Sequence, residues 1–205
     1  GEHTIEWNLD ADMTEADMWD LQNKGVRIFK FLHDIPTVVA NLVETVKIFI
    51  PEFVNVVTPS IAELNRDFIE SYTKFRMPDR EEKLVVIPEE QIHSGDFFGV
   101  IRLDGLDPML AWGMGSTTGH VTVAMWFDGE LYVCESTVEG TYWPTNGIQK
   151  TPYRQWIKQA LDADFHVVHV PLKAEARANF DESAAAQFFS TVEGLDYGYQ
   201  VMLWG

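Results

Sequence analysis

The chain has 205 residues and a mass of 23.4 kDa, room for one domain or for a core of about 100–150 residues with an extension, which excludes a multidomain enzyme. Fifteen basic against thirty-two acidic side chains leave a net charge of −17, so the chain repels phosphate backbones and anionic lipid head groups, and no nucleic-acid partner is expected. A hydrophobic fraction of 46% with 13% aromatics excludes a disordered acidic chain.

Residues 1–13 are acidic and polar and read as an arm. The N-terminal Gly-Glu-His-Thr-Ile-Glu-Trp has neither a basic nor an apolar signal region, so any secretion signal would already have been removed. Together with the acidity and the scarcity of thiols, this slightly favours a secreted or lumenal setting. Thr14 followed by Asp17 approximates a capping box, and Met18, Leu21, Gly25, Ile28 and Leu32 share one face, which predicts a first helix. Behind Pro36, the residues Val39, Leu42, Val43, Val46, Phe49 and Ile50 keep helical spacing until Pro51. This second helix is apolar around more than half its circumference and needs covering, by the rest of the chain, by an oligomer or by lipid; its acidic residues disfavour lipid. A third helix follows Thr58-Pro59, a hydroxyl cap with proline in the first turn, and aligns Ile61, Leu64, Phe68, Tyr72 and Phe75. Residues 14–76 therefore read as a helical extension. Polar residues interrupt every long apolar run, so no transmembrane segment is predicted.

At Met77–Lys83 the sequence turns polar, and beyond it short β-rich runs replace the helical period. Strands are expected at Leu84–Ile87, Phe97–Leu103, His120–Phe127, Leu131–Glu135 and Phe165–Leu172. Helices are expected after Thr151-Pro152, with Tyr153, Trp156, Ile157, Ala160 and Leu161 inward, and after Asp181, with Ala184, Ala185, Phe188, Phe189 and Val192. The fold class is α+β: a small antiparallel sheet with packed helices over residues 84–205, preceded by the helical region.

Asp128-Gly129 between two alternating runs is a strong hairpin signal, and a two-residue loop pairs Phe127 with Glu130. Counting outward puts Thr122 opposite Glu135 and His120 opposite Thr137. His120, Thr122, Ala124, Trp126, Leu131, Val133 and Glu135 then share one face. Cys134, the chain's one cysteine, falls on the other face with Val121, Val123, Met125, Phe127 and Tyr132, the more apolar side and the expected core side. One cysteine excludes an internal disulfide framework and a cysteine-rich zinc site. The register sets an imidazole diagonally across from a carboxylate that can orient it, a general-base arrangement, beside a glycine-rich stretch from Gly113 to Gly119 that allows a substrate or a backbone to come close. The plainer account makes His120 a hydrogen-bonded histidine at a strand start and Glu135 a solvated strand residue.

Ser94-Gly95-Asp96 leading into an apolar strand, followed by the Ser-Thr-Thr-Gly-His-Val-Thr-Val run that ends at Val123, resembles the circularly permuted NlpC/P60 papain-like superfamily, which includes the YiiX-type and lecithin–retinol acyltransferase-like proteins. The resemblance covers about residues 94–137. It implies a papain-like domain in which His120 is the catalytic base and Glu135 the orienter, with Gly95-Asp96 ahead of the first strand. It also implies a nucleophilic cysteine at the start of a later helix, where this chain has none. Gly194–Gly205 ends in an apolar run, so the native chain is expected to continue. The nucleophile then lies past Gly205, or has been lost, or is Cys134 turned round by a bulge.

Trp112, Ser116, Trp126 and Trp143 are candidate substrate-binding residues, and with Met114 and Tyr142 the tryptophans could make an apolar pocket or simply fill the core. Tyr142-Trp143-Pro144 is expected in a loop at a cleft rim. Asp10, Asp12, Thr14 and Asp17 alternate like a calcium loop but lack its glycine and distal glutamate, and read as a capped helix start. Asp104-Gly105-Leu106-Asp107-Pro108 reads as a turn. His166 and His169 point to opposite faces of a strand. No metal or cofactor is expected. Two functions follow: a thiol hydrolase or acyltransferase acting on an amide or ester of a small-molecule, lipid or peptide substrate, or a catalytically silent protein that binds partner chains or itself through its N-terminal helices.

Overall fold

A computed structural model describes residues 13–24, 34–50, 56–78 and 87–198. The chain forms two compact units, residues 1–41 and 42–205. The first contains helix α1 (Glu15–Lys24) and the beginning of α2 (Ile35–Ile48). The carboxylate of Asp34 accepts the Thr37 N–H at 2.8 Å, and Pro36 sits in the first turn, where a missing N–H costs nothing. Most of the acidic arm, including Asp10 and Asp12, lies outside the described residues. So do the second half of the expected first helix and all of the expected strand at Leu84–Ile87 except Ile87, which is not in a strand.

Helix α3 (Pro59–Thr73) starts as its sequence indicates, with Thr58 Oγ1 accepting the Ile61 N–H at 3.4 Å, and it ends on Lys74 in a left-handed conformation. Its buried stripe is Ile61, Asn65, Arg66 and Ile69, not the expected run through Leu64, Phe68, Tyr72 and Phe75; Phe75 lies past the helix and is half-exposed. The reason is polar. The Asn65 amide donates to the carbonyls of Ile61 and Leu103 at 3.0 Å, which turns this face toward the end of the first strand. There Ile69 packs with Ile101, Leu103 and Ala111. Helix α3 thus belongs to the same compact unit as the sheet.

The rest of that unit is β1 (Phe97–Ile101), α4 (Leu106–Met114), β2 (His120–Phe127), β3 (Glu130–Thr137), β4 (Gly147–Pro152), α5 (Tyr153–Asp162), β5 (His166–Val170), α6 (Ala174–Ala178) and α7 (Glu182–Val192). The five strands lie in the order β4-β3-β2-β1-β5, and every neighbouring pair is antiparallel, which makes the fold α+β. Three of these elements go beyond the sequence reading: β4, whose Gly-Ile-Gln-Lys-Thr-Pro has little apolar alternation, α4, whose glycines and proline suggested turns, and the five-residue α6.

The β2–β3 hairpin has the expected register, from Phe127↔Glu130 to Val123↔Cys134, and positive φ at both Asp128 (50°) and Gly129 (83°) gives the turn whose twist suits antiparallel strands. The assignment of faces is the reverse of that expected. The main core lies on the His120 side, where Ala124, Leu131 and Val133 pack with Phe98 and Val100 of β1 beneath Tyr153, Trp156 and Ala160 of α5. On the Cys134 side α7 lays Phe189 over Met125 and Cys134, while Val121, at 53% exposure, stays open. The landing place of the strongly amphipathic α5, and not the apolar count of the strand, decides which face is core.

Candidate active site

His120 opens β2, and its position is fixed from both sides. The preceding Gly119 donates its N–H to Val100 O at 3.0 Å. A Cβ on Gly119 would lie 2.7 Å from the Asp107 Cβ, so only glycine lets the first turn of α4 come so near. Asp107 in turn accepts the Arg102 N–H at 2.8 Å, and its own N–H reaches Asp104 Oδ1 at 3.1 Å. The segment expected as a bare turn at 104–108 is thus a helix start braced against the residue before the histidine. The glycine-rich stretch admits a neighbouring backbone at Gly119, and Gly115 closes α4.

His120 Nε2 lies 2.8 Å from Glu135 Oε2, and Trp156 Nε1 donates to Glu135 Oε1, also at 2.8 Å. The carboxylate is 1% exposed and the imidazole 27%. Glu135 is therefore not a solvated strand residue. An ionised carboxylate only accepts, so Nε2 carries a proton, and in the neutral ring Nδ1 then holds the lone pair. Among the described residues Nδ1 makes no hydrogen bond. Such a pair can take a proton at Nδ1 while the buried carboxylate steadies the imidazolium that forms. Trp156, absent from the candidate site residues drawn from sequence, is the group that holds Glu135; helical spacing marked it as core and gave no sign of where its N–H would point.

Cys134 pairs regularly with Val123, which leaves its side chain on the opposite face from its neighbour Glu135. It is 7% exposed, and burial, only partly offset by Lys150, pushes its thiol up to about 12. A neutral thiol on the far side of the sheet cannot serve His120. The candidate binding residues have different surroundings among the described residues. Trp143 is buried and stacked on Phe165 with ring centroids 5.1 Å apart, so it belongs to the core and not to a cleft rim. Trp126 lines a cleft with His93, Ser94, Arg177, Phe180 and Glu182, six residues along β2 from His120. Trp112 is part-exposed on α4, and Ser116 bonds locally to Thr118.

A second histidine–carboxylate contact lies on the same face of the sheet. Asp96, fully buried, accepts the backbone N–H groups of His93 at 3.0 Å and Leu172 at 2.9 Å, together with His169 Nε2 at 3.1 Å and the Arg177 guanidinium. Burial alone would raise this carboxyl; the two backbone donors, Arg177 and His169 outweigh it and hold the group at about 2. His166 sits opposite Ile101 and points the other way, as the strand alternation requires. Among the described residues no cluster of His, Cys, Asp and Glu is suited to hold a metal ion, and no helix is long and apolar enough to cross a membrane. In comparisons with protein families, with curated proteins and with solved structures, the chain matches none.

Proposed function

We propose that the protein is a hydrolase or acyltransferase acting on an amide or ester, with His120 as general base and Glu135 as the residue that orients it. The observation that carries this reading is the Trp156–Glu135–His120 chain of two 2.8 Å contacts, which ends on a part-exposed ring whose Nδ1 makes no hydrogen bond among the described residues. Nδ1 takes a proton from the attacking group, the new bond forms at the substrate carbonyl, and the proton passes to the departing amine or alkoxide. Cys134 has no part in this. The attacking group is a water or an acceptor molecule's hydroxyl, and the covalent route of the papain-like resemblance would need a thiol outside these 205 residues.

The test is turnover of a panel of chromogenic esters and amides by wild type, His120→Ala, Glu135→Gln and Cys134→Ala. Wild type and Cys134→Ala are expected to agree, while the other two lose about 100-fold or more in kcat/KM. Equal rates for wild type and His120→Ala would overturn the reading. That result would favour the second one, a silent binding or assembly protein, to which the exposed Val38, Val39, Leu42 and Val43 of α2 lend support.

A further inference from the structure

A cleft of about 380 Å³ opens beside the turn that leads into β1, lined by His93, Ser94, Trp126, Arg177, Phe180 and Glu182. Trp126 stands six positions from His120 on an extended strand, which sets this cleft about 20 Å from the catalytic imidazole. Its polar groups are held but not exhausted. Arg177 gives one nitrogen of its guanidinium to Asp96, and its other donors make no hydrogen bond among the described residues. Glu182 accepts the Ser94 hydroxyl on Oε1 and leaves Oε2 unbonded, while Ser94 Oγ accepts the Trp126 backbone N–H at 2.8 Å. The His93 ring, more than half exposed, stands 3.9 Å from Asp96, too far for a hydrogen bond.

The charges are divided. The buried Asp96 already offsets Arg177, so a simple anion gains little there, while Glu182 is left as the uncompensated charge that attracts an ammonium group, and the unspent N–H donors of Arg177 can hydrogen-bond a carboxylate. A ligand carrying both signs meets a planar donor fork in Arg177 and a carboxylate in Glu182, in a cleft whose aromatic residues Trp126 and Phe180 favour an apolar or cationic body. We propose that this cleft binds a small zwitterion of the α-amino acid kind, with its carboxylate on Arg177, its ammonium group on Glu182 and its side chain against Trp126 and Phe180. The site is distinct from the His120 pair and stands whether or not that pair is catalytic.

Phenylalanine, titrated against the intact chain by calorimetry and by tryptophan fluorescence, is the probe. Saturable binding is expected with a dissociation constant of about 1 mM. N-acetylphenylalanine, which lacks the ammonium group, and phenylalaninamide, which lacks the carboxylate, should each bind about tenfold more weakly. Glu182→Gln keeps an oxygen for the Ser94 hydroxyl and should cost phenylalanine a similar factor while leaving N-acetylphenylalanine unchanged. The comparison of the three ligands on wild type needs no variant, so a misfolded Glu182→Gln does not decide the matter. Absence of saturation, or equal binding of the free and the blocked ligands, would overturn the proposal.

Discussion

A single buried carboxylate shows how much one side chain carries. Asp96 ties the turn at His93, the exit of β5 at Leu172 and helix α6 through Arg177 to one point. Its folded-state value of about 2 lies below that of an unfolded aspartate, so its stabilisation is complete above roughly pH 4 and fades as pH falls through the folded value. The difference is worth about 2 kcal/mol. Asp96→Asn should remove this acid-dependent part of stability. It should also cost about 3–5 kcal/mol at neutral pH, because Arg177 is left without its partner. Urea unfolding from pH 2 to pH 7 checks both, and an unchanged acid slope in Asp96→Asn would show that other carboxyls carry it.

The edge of the sheet depends on a glycine in much the same way. Gly147 opens β4 with φ at 101°, and a Cβ there would lie 2.2 Å from the carbonyl oxygen of Leu195. That carbonyl accepts the Ile148 N–H at 2.8 Å, and Gly194 N–H returns a bond to Ile148 O, so the segment after α7 is bonded to β4. Gly147→Ala should destabilise the fold by about 1–3 kcal/mol from backbone strain alone, and loosen that segment, measurable as faster amide exchange at Ile148 and Gly194. The contacts that define these elements differ in how far the sequence discloses them. The hairpin was readable because Asp128-Gly129 fixes a register locally, and with it the meeting of His120 and Glu135. The identity of the buried face was not, because it depends on a helix about twenty residues further on. Asn65 and Asp96 were beyond reach for the same reason: their partners Leu103, His169 and Arg177 are 38, 73 and 81 residues away. The β4 strand and α4 were missed because glycine and proline mark turns in isolation, whereas here they cap a helix and admit a close backbone.

For the molecule as a whole, the two sides of the sheet set opposite limits of pH. Asp96, on the His120 side, gives way in acid. On the other side the Cys134 thiol, neutral beneath Phe189, gives way in alkali: burial is the main cause of its raised value, Glu193 and Glu135 add to it, and Lys150 opposes them. An unfolded thiol ionises from about pH 8.5, so stability is whole below that pH and falls progressively as pH rises toward the folded value of about 12. The loss attributable to this one group reaches up to about 5 kcal/mol. Tyr72 and Tyr153, also raised by burial, begin to contribute only at higher pH, since an unfolded tyrosine ionises near 10. Cys134→Ala should therefore shift the onset of alkaline destabilisation upward by more than one pH unit while leaving the acid limb in place. The same burial makes thiol labelling a clock for opening of the α7 side. Below pH 8 labelling should be far slower than for an exposed thiol and should accelerate only where the chain unfolds. Rapid labelling of the folded protein, or identical alkaline curves for wild type and Cys134→Ala, would mean that the sulfur is reachable after all, and would return it to consideration as a nucleophile.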